Sequence, residues 1–185
     1  ARAALASFVG TSGASGASGG GDDYEAKRSR ADLPDATSRL SAHLRFGELS
    51  ARQLHWAVAD AVAARGGALE AKTFARRLYW RDLAYFHHRT FPEMQARAIR
   101  PHYARTAWTD VSPGGAGAAR LCAWRRGRTG YPMVDAGMRE LRATGWMAQP
   151  VRMVAASVLC EVLNVGWTVG ERHFHRELVH AGPWI

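Results

Sequence analysis

The chain has 185 residues, of which 47% are hydrophobic and 22% are charged, and its formal net charge is +9. This length and composition suit one globular domain with a hydrophobic core. They exclude a membrane-spanning protein, because no apolar run approaches the ~20 residues that a spanning helix needs, and two cysteines are too few for a disulfide scaffold or a Cys-rich zinc module.

The two cysteines also favour an intracellular, reducing compartment. We expect the cytoplasm if the protein is bacterial, and the nucleus or a plastid if it is eukaryotic. The chain starts at Ala1 rather than at Met, which is consistent with a fragment.

The positive charge is concentrated in one part of the chain. Residues 71–152 carry 15 of the 25 Lys and Arg residues but only 5 of the 16 Asp and Glu residues, and 23 of the 25 cationic residues are arginines. The composition bias of a GC-rich genome is one explanation of the arginine preference, but it would not confine the charge to one segment. The segregated charge favours an anionic partner such as nucleic acid or a phosphorylated cofactor.

Small residues dominate the beginning of the chain. Residues 1–9 form a candidate helix end, and residues 11–21 consist almost entirely of Gly, Ser, Ala and Thr, which cannot build a core. We predict that residues 1–23 form a helix end and a flexible linker, and that residues 24–185 form one helical domain.

A cluster of hydroxyl groups follows. Residues 37–41 read Thr-Ser-Arg-Leu-Ser and come directly after Pro34-Asp35. Hydroxyls, free backbone N–H groups and a guanidinium at a helix start are what a phosphate site requires. The alternative is an ordinary helix N-terminus with an exposed arginine, and the cluster alone does not separate the two.

Two helices are predicted between residues 50 and 92. The first begins with a capping box formed by Ser50 and Gln53 and stops at Gly66-Gly67, and its apolar face consists of Leu54, Val58 and Val62. The second runs from about Leu69 to Arg89 and ends before Phe91-Pro92. One stripe of this second helix consists of Phe74, Leu78, Arg81 and Tyr85.

Three further helices are predicted after an irregular segment at residues 101–117. One covers Val134–Thr144 and stops at Gly145. The next starts at Pro150, with an apolar face formed by Val151, Val154, Val158 and Val162. The last is capped by Thr168 and ends at Gly182. No segment alternates polar and apolar residues as a strand does, so the predicted fold class is all-α.

Tryptophan and histidine provide further candidate functional residues. Five of the seven tryptophans lie in or beside the basic segment: Trp80, Trp108, Trp124, Trp146 and Trp167. Tryptophan is commonly a core residue, but aromatic side chains among arginines also form base-stacking surfaces and flavin pockets. His173 and His175 point to different faces of a helix, and no Cys or carboxylate completes a ligand set with His180, so no metal site is predicted.

Five motifs occur in order along the chain: Tyr24-x-x-x-Arg28, Thr37-Ser38-Arg39-Leu40-Ser41-x-His43-Leu44-x-Phe46-Gly47, Tyr79-Trp80-Arg81-Asp82, Gly127-Arg128-Thr129-Gly130-Tyr131-Pro132-x-Val134-Asp135-Ala136-Gly137-Met138-Arg139 and Gly145-Trp146-Met147. Their order and spacing resemble those of the FAD-binding helical domain of the photolyase/cryptochrome family. The resemblance covers residues 24–178. It implies that residues 24–185 are a partial, truncated all-α FAD-binding domain.

The resemblance implies that FAD is the cofactor. Tyr24 and residues 37–41 match residues that hold the ribityl chain and the phosphates, and Phe74 matches an aromatic residue near the cofactor. Arg81 and Arg152 match arginines that face the flavin, and Gln149 takes the place of a flavin-facing amide. The implied cofactor-binding residues are Tyr24, Thr37, Ser38, Arg39, Leu40, Ser41, Phe74, Arg81, Gln149 and Arg152.

The resemblance also implies DNA-binding and electron-transfer residues. Trp80 and Met153 match positions that line the pocket for a flipped pyrimidine dimer, and Arg28 matches a phosphate-contacting arginine. The implied DNA-binding residues are Arg28, Arg77, Trp80, Gln149 and Met153. Trp108 and Trp167 match the distal and middle members of the tryptophan chain that reduces photoexcited flavin.

The chain departs from the family pattern at several positions. Arg77 stands where photolyases that repair cyclobutane dimers usually carry Glu, and residues 148–150 read Ala-Gln-Pro instead of His-Asn-Arg. After Leu178 the expected Asp-x-Asp is replaced by residues 180–182, His-Ala-Gly, and neither the asparagine partner of flavin N5 nor the third tryptophan is found.

Three functions remain open at this point. The resemblance implies light-dependent, FAD-based repair of damaged DNA by electron transfer to a flipped pyrimidine dimer. Arg77 and Gln149 favour a cryptochrome-like blue-light photoreceptor without repair activity, whereas the basic segment favours DNA. The third alternative is an inactive fragment with an incomplete flavin pocket. An antenna chromophore is expected only if the full-length protein has an N-terminal domain, no membrane partner is expected, and the oligomeric state is left open.

Overall fold

A computed structural model of the protein describes residues 1–10, 24–33, 37–64 and 72–182, and the structural statements below concern these residues. They contain helices and no β-strand, so the predicted all-α class is confirmed. The helices are α1 (Arg2–Val9), α2 (Tyr24–Lys27), α3 (Ser41–Arg45), α4 (Ala51–Ala64), α5 (Lys72–Thr90), α6 (Ala118–Arg125), α7 (Pro132–Thr144), α8 (Gln149–Ser157) and α9 (Trp167–Glu177). The predicted linker at residues 11–21, Pro34-Asp35 and the predicted stop at Gly66-Gly67 lie outside the described residues.

The chain divides into two compact units, Ala1–Phe86 and His87–Ile185, with a boundary inside α5. The buried core of the first unit consists of Phe8, Val9, Tyr24, Leu40, Leu49, Leu54, Val58, Ala61, Phe74 and Leu78. Fully buried side chains in the core of the second unit include Trp124, Val134, Met138, Leu141, Met147, Leu159 and Val165. In the part of the chain that the structure describes, no helix combines the length and the apolar character required to cross a bilayer.

The start of α4 confirms the predicted capping box. The backbone N–H of Ser50 donates to Gln53 Oε1 at 2.9 Å, and the backbone N–H of Gln53 donates to Ser50 Oγ at 3.1 Å. These two bonds satisfy donors that a helix start otherwise leaves open, and a cap of this kind stabilises a helix by about 1 kcal/mol. The predicted apolar positions Leu54 and Val58 are buried, as expected.

The structure contains a helix that the sequence analysis did not predict, α6. Only Leu121 and Trp124 of its eight residues are buried, so its apolar pattern is too sparse to indicate a helix. Trp124 is fully buried, and its Nε1–H donates to the backbone oxygen of Ala155 in α8 at 2.9 Å. The irregular segment predicted at residues 101–117 also contains a 3₁₀ turn at Pro101–Arg105.

Helix α7 has the predicted end and packs closely on α8. It stops at Gly145, whose φ of 68° lies in the left-handed region that glycine adopts without strain. At Gly137 the two helices approach so closely that an added Cβ would collide with Cγ1 of Val151. The predicted helix over residues 134–144 is therefore confirmed, and it begins two residues earlier, at Pro132.

Two predictions about the last helices are wrong in detail. The stripe of four valines along α8 is interrupted because α8 continues into a π-helical turn, Val158–Val162, which rotates the following side chains away from the core. Val162 is exposed as a result, whereas Val154 lies in α8 before this turn and is also exposed. Helix α9 begins at Trp167 after Gly166, so Thr168 lies inside the helix instead of capping it, and the helix ends at Glu177.

Asp135 fastens the turn before α7. Its Oδ1 accepts hydrogen bonds from the backbone N–H of Thr129 at 2.7 Å and from Thr129 Oγ1 at 2.6 Å, and its Oδ2 accepts one from the N–H of Gly130 at 3.0 Å. Burial by itself raises the pKa of Asp135, but the hydrogen bonds from Thr129 and Gly130, together with the charge of Arg139, bring it below its ordinary value. The ionised carboxylate is therefore the form that holds this turn.

We expect Asp135→Asn to lower the free energy of unfolding by about 1–3 kcal/mol near pH 7, because an amide replaces one accepting oxygen and leaves a buried donor unpaired. The folded-state pKa of Asp135 is lowered, so its contribution is present above the unfolded carboxyl pKa of about 3.9 and is lost as the pH falls below it. Denaturant unfolding of both proteins across this pH range should show the difference shrinking in acid. Glu140→Gln, on the exposed face of α7, is the control. If Asp135→Asn lowers the free energy of unfolding by the same amount at all pH values, the prediction is contradicted.

Candidate functional site

The hydroxyl segment at residues 37–41 leads into α3. Leu40 is the N-cap residue and Ser41 the first helical residue, so the predicted helix start is confirmed. Ser38 Oγ accepts a hydrogen bond from the backbone N–H of Leu40 at 3.4 Å. The Leu40 side chain is fully buried, whereas Ser41 Oγ is buried without a hydrogen-bond partner in the described residues. Because α3 has only five residues, its dipole is short, and an anion at this segment would depend mainly on the Ser41 hydroxyl and the Arg39 side chain.

Arg39 adopts a backbone conformation that arginine rarely takes. Its φ is +49°, in the left-handed region, and its side chain is exposed. This conformation costs an L-residue with a side chain roughly 1–2 kcal/mol, a cost that glycine does not have. Strain of this kind at an exposed arginine points to a role for its side chain.

Tyr24 and Phe74, two of the residues assigned to FAD by the resemblance, form an aromatic cluster with Phe8 in the core of the first unit. The ring centroids of Phe8 and Phe74 lie 4.5 Å apart, and the Tyr24 ring stands edge-on to Phe74 at 5.4 Å and to Phe8 at 5.9 Å. Both assigned residues are almost fully buried. Helix α1 therefore supplies the third ring that encloses them.

The Tyr24 hydroxyl lies next to arginines. Burial raises the pKa of Tyr24, while the charges of Arg77 and Arg28 and a hydrogen bond with Arg77 oppose that rise. Oε2 of Glu25 lies 3.9 Å from Nε of Arg28. Oε1 of Glu25 accepts a hydrogen bond at 3.0 Å from the backbone N–H of Thr73, near the start of α5. The structure thus brings the assigned residues Tyr24, Arg28 and Arg77 together within the first unit.

The two remaining assigned residues of the first unit lie further along α5. Arg81 Nη2 donates to the Tyr85 hydroxyl at 3.2 Å, and the guanidinium carbon lies 4.9 Å from the centroid of that ring. Trp80 is 57% exposed. A tryptophan this exposed is not a core residue, which leaves its ring open to an external partner.

In the second unit, a cavity of about 420 Å³ brings together four of the assigned residues. Gln149, Arg152 and Met153 come from α8, and Trp167 comes from the start of α9. We call it the α8–α9 cavity, and it is also lined by Ala156, Leu159, Cys160, Gly170, Glu171 and Phe174. The sequence analysis did not assign these six further lining residues to a site. Their common location depends on the packing of α9 on the π-helical turn.

Arg152 places a positive charge at this cavity, and His180 lies close enough to respond to it. Burial lowers the pKa of Arg152, and its Nε has no hydrogen-bond partner in the described residues. Burial and the charge of Arg152 lower the pKa of His180 to about 4, so this imidazole is neutral at pH 7. His180 packs on Trp146 at 4.7 Å, and its Nδ1 also lacks a partner among the residues described. No signal in the sequence indicated the burial of His180.

Trp108 lies against the residue that precedes Trp167. A methyl group added to Gly166 would lie 3.4 Å from Cγ of Trp108, so the indole packs directly on this backbone. The N–H of Thr109 donates to the oxygen of Asn164 at 2.9 Å, and Asn164 Nδ2 donates to the oxygen of Ala107 at 3.1 Å. The two assigned electron-transfer residues are therefore held in one substructure, and Trp108 remains 39% exposed.

Within the described ranges, no group of three or more His, Cys, Asp or Glu residues has an arrangement that could hold a metal ion. His173 and His175 lie in α9, whereas His180 follows its end. Burial and the nearby Glu161 raise the pKa of the Cys160 thiol, which lowers the reactivity of that cysteine.

Comparison with known proteins gives a consistent family assignment. Residues 74–185 match the family model of the FAD binding domain of DNA photolyase. The deoxyribodipyrimidine photo-lyase of Streptomyces griseus is 44% identical over 76% of this chain, and cryptochrome-1 of Sinapis alba is 36% identical over 86% of it. The chain spans only 28% and 32% of the lengths of these two relatives.

Solved structures of the same kind superimpose on the chain. A bacterial class III photolyase from Agrobacterium tumefaciens matches with a TM-score of 0.82 at 32% identity, over 99% of this chain and 35% of that protein. The fold and the family model therefore agree.

The unpaired guanidinium of Arg152 leads to a prediction about stability. We expect Arg152→Met to leave the free energy of unfolding unchanged or to raise it by ~1–3 kcal/mol, because it removes a half-buried cation whose buried Nε has no partner in the described residues. Arg139→Met is the matched control, since Arg139 Nη2 donates to the oxygen of Gly127 at 2.6 Å and its loss should destabilise the fold. Denaturant unfolding without added ligand measures both. A loss at Arg152 as large as that at Arg139 would show that Arg152 supports the fold.

Proposed function

The chain belongs to the photolyase/cryptochrome family, and from this premise we propose that it is part of a protein that uses FAD and blue light to split pyrimidine dimers in DNA. In this proposal the residues described above hold the cofactor, receive the flipped dimer and conduct electrons. The dimer is the substrate, and the damaged duplex is the partner.

The observation that carries the proposal is the pattern of unmet hydrogen bonds. In the described part of the chain, three buried side-chain polar atoms have no partner: Ser41 Oγ, Arg152 Nε and His180 Nδ1. Two of them belong to residues that the family resemblance assigns to FAD. Buried polar atoms without partners are rare and costly, and a bound ligand is one way to satisfy them. FAD has a diphosphate and a ring system rich in acceptors, and these donors therefore fit it.

Each residue has a defined task toward the cofactor. The Ser41 hydroxyl and the Arg39 guanidinium are suited to the diphosphate, because a charged fork and a hydroxyl both donate to phosphate oxygens. Arg152 is suited to an acceptor of the flavin ring, where burial strengthens its electrostatic effect. When bound in its reduced form, the flavin would supply the electron that light transfers to the dimer and would take it back after the two bonds between the bases have broken, so the splitting would need no net oxidant.

Each of the two units has exposed side chains that are suited to contacts with DNA. Trp80 and Met153 are 57% and 65% exposed and offer apolar contacts to a base outside the helix stack. Arg100, Arg105 and Arg128 are exposed and form no ion pair with any described residue. Unpaired arginines of this kind bind phosphates and release counterions. Trp108 and Trp167 provide oxidisable rings in the same unit.

A blue-light photoreceptor without repair activity is the second candidate, and one observation favours it. Arg77 stands where family members that repair dimers usually carry Glu, and its guanidinium lies beside the Tyr24 hydroxyl. Arginine donates hydrogen bonds but accepts none, so it cannot replace a carboxylate that accepts from a base. The matches include photolyases and a cryptochrome, which agrees with either candidate.

Cofactor binding is the first test. We expect the chain to bind FAD, and we expect Ser41→Ala and Arg152→Met each to weaken binding, by about tenfold or more for Arg152, because a charge-assisted hydrogen bond contributes roughly 1.5–3 kcal/mol. Titration of the chain into FAD, followed by flavin fluorescence, measures this. Arg120→Ala, at an exposed position of α6, should not change the affinity. Equal affinities for all four proteins would contradict the assignment.

Arg39 calls for glycine rather than alanine, because alanine keeps the Cβ that a φ of +49° disfavours, whereas glycine removes both the charge and this strain. We expect Arg39→Gly to stabilise the fold slightly and to weaken FAD binding. Stability and affinity should therefore change in opposite directions. A parallel loss of both would assign Arg39 a structural role.

DNA repair is the second test. We expect the FAD-loaded protein to prefer a duplex with a thymine dimer and to split the dimer under blue light. Affinity for undamaged duplex should fall as the salt concentration rises. A plot of the logarithm of the binding constant against the logarithm of the salt concentration should have a slope of roughly −0.9 per phosphate contact. Trp80→Ala should remove the preference for damage, whereas Arg100→Gln should lower affinity for both duplexes. Dimer content after illumination and binding across a salt series measure these effects, and light-independent dimer levels would favour the photoreceptor.

A further inference from the structure

A second cavity in the unit His87–Ile185, of about 490 Å³, is lined by arginines from three helices. Arg125 and Arg126 lie at the end of α6, Arg142 lies in α7, and Arg172 and Arg176 lie in α9. We call it the arginine cavity. It shares no lining residue with the α8–α9 cavity, so the proposed FAD and DNA contacts do not account for it.

The charges around this cavity are not balanced. Glu177 is the one carboxylate among its lining residues within the described ranges. The guanidinium groups of Arg125, Arg126, Arg142 and Arg176 form no hydrogen bond or ion pair with another described residue. Arg172 uses its Nε for the backbone oxygen of Thr168 at 3.2 Å, which leaves its other donors available. Guanidinium groups collected in one concavity repel each other, and a bound anion would remove this repulsion.

His173, at the inner wall of the cavity, responds to the same charges. Its ring stands edge-on to the buried Trp124 ring at 5.2 Å. Burial lowers the pKa of His173, the charges of Arg125 and Arg176 lower it further, and Glu177 opposes them. The imidazole is therefore neutral at pH 7. The arginines, rather than the histidine, provide the positive potential.

We propose that the arginine cavity binds a small oligophosphate, an anion with two or more linked phosphate groups. The planar fork of arginine matches phosphate oxygens in pairs, and five such groups exceed what one phosphate can engage. The volume falls in the range of about 300–1,000 Å³ that is usual for small-molecule sites. A concavity walled by three helices suits a compact ligand that enters it, whereas the phosphates of a DNA duplex lie on a convex surface.

The apolar part of the wall bears on which oligophosphate binds. Leu121 and Val169 line the cavity beside the arginines. A nucleotide would place its base or sugar against these side chains, whereas an inorganic chain would use the arginines alone. Both carry the same phosphate chemistry, and a comparison of ATP with tripolyphosphate distinguishes the two sources.

The test is calorimetric titration of the 185-residue chain with tripolyphosphate, ATP and orthophosphate at physiological salt. We expect tripolyphosphate to bind with a Kd below about 100 μM and at least tenfold more tightly than orthophosphate. If ATP binds more tightly than tripolyphosphate, the ligand of the cavity is a nucleotide. If the two bind with equal affinity, the ligand is an inorganic phosphate chain. Absence of tripolyphosphate binding to the unmodified chain would overturn the proposal without recourse to any variant.

Variants locate the binding. Arg142→Glu and Arg176→Glu should each weaken tripolyphosphate at least tenfold, and Arg142→Lys should weaken it less, because the charge remains but the fork is lost. Arg120→Glu, on α6 outside the cavity, changes the net charge of the chain by the same amount. We expect it to change the affinity for tripolyphosphate by less than about twofold at this salt concentration. Equal effects of Arg142→Glu and Arg120→Glu would reduce the binding to general charge attraction and overturn the proposal.

Two further outcomes separate this site from the others. Arg152→Met should retain tripolyphosphate binding even where it loses FAD, so failure of the FAD proposal leaves this one open to its own test. If Arg142→Glu lowers affinity for duplex DNA while tripolyphosphate does not compete with the duplex, the cavity is part of a nucleic-acid surface, and the oligophosphate proposal is wrong.

Discussion

The hydrogen bond from Trp124 Nε1–H to the oxygen of Ala155 is the interaction on which the second unit depends. It joins α6 to α8, and the Trp124 side chain that donates it is fully buried. The same ring stands edge-on to Phe174 of α9 at 5.6 Å. One side chain thus sets the positions of three helices. Phe174 lines the α8–α9 cavity and its neighbour His173 lines the arginine cavity, so the Trp124 ring contacts one lining residue of each cavity.

Local signals in the sequence were sufficient for much of the fold. The Ser50–Gln53 capping box and the left-handed stop at Gly145 each involve residues close in the chain, and both are found where they were predicted. Helix α6 was missed because only two of its positions are buried. The shift at Val158–Val162 could not be predicted, because a π-helical turn is selected by tertiary packing rather than by hydrophobic spacing.

The candidate site shows the same division. The motifs carry the identity of residues such as Ser41 and Arg152, but not the absence of a partner for their buried atoms, which is a property of the folded chain. Likewise, no pattern in the sequence connects Trp108 with Gly166, more than fifty residues away. The packing of Phe8 from α1 against Phe74 also requires the tertiary structure, since residues 1–9 carry no family motif. Chemistry was readable from the sequence, whereas burial and distance were not.

The close contact of Gly137 with Val151 has a consequence for how this fold can change over evolutionary time. Any side chain at position 137 collides with Cγ1 of Val151 while α7 and α8 keep their spacing. A single substitution at 137 therefore meets a barrier, whereas the same substitution is accessible after position 151 has become smaller. A smaller residue at 151 that arises first removes this collision. The spacing of two helices in this way favours one order of substitutions along an evolutionary path.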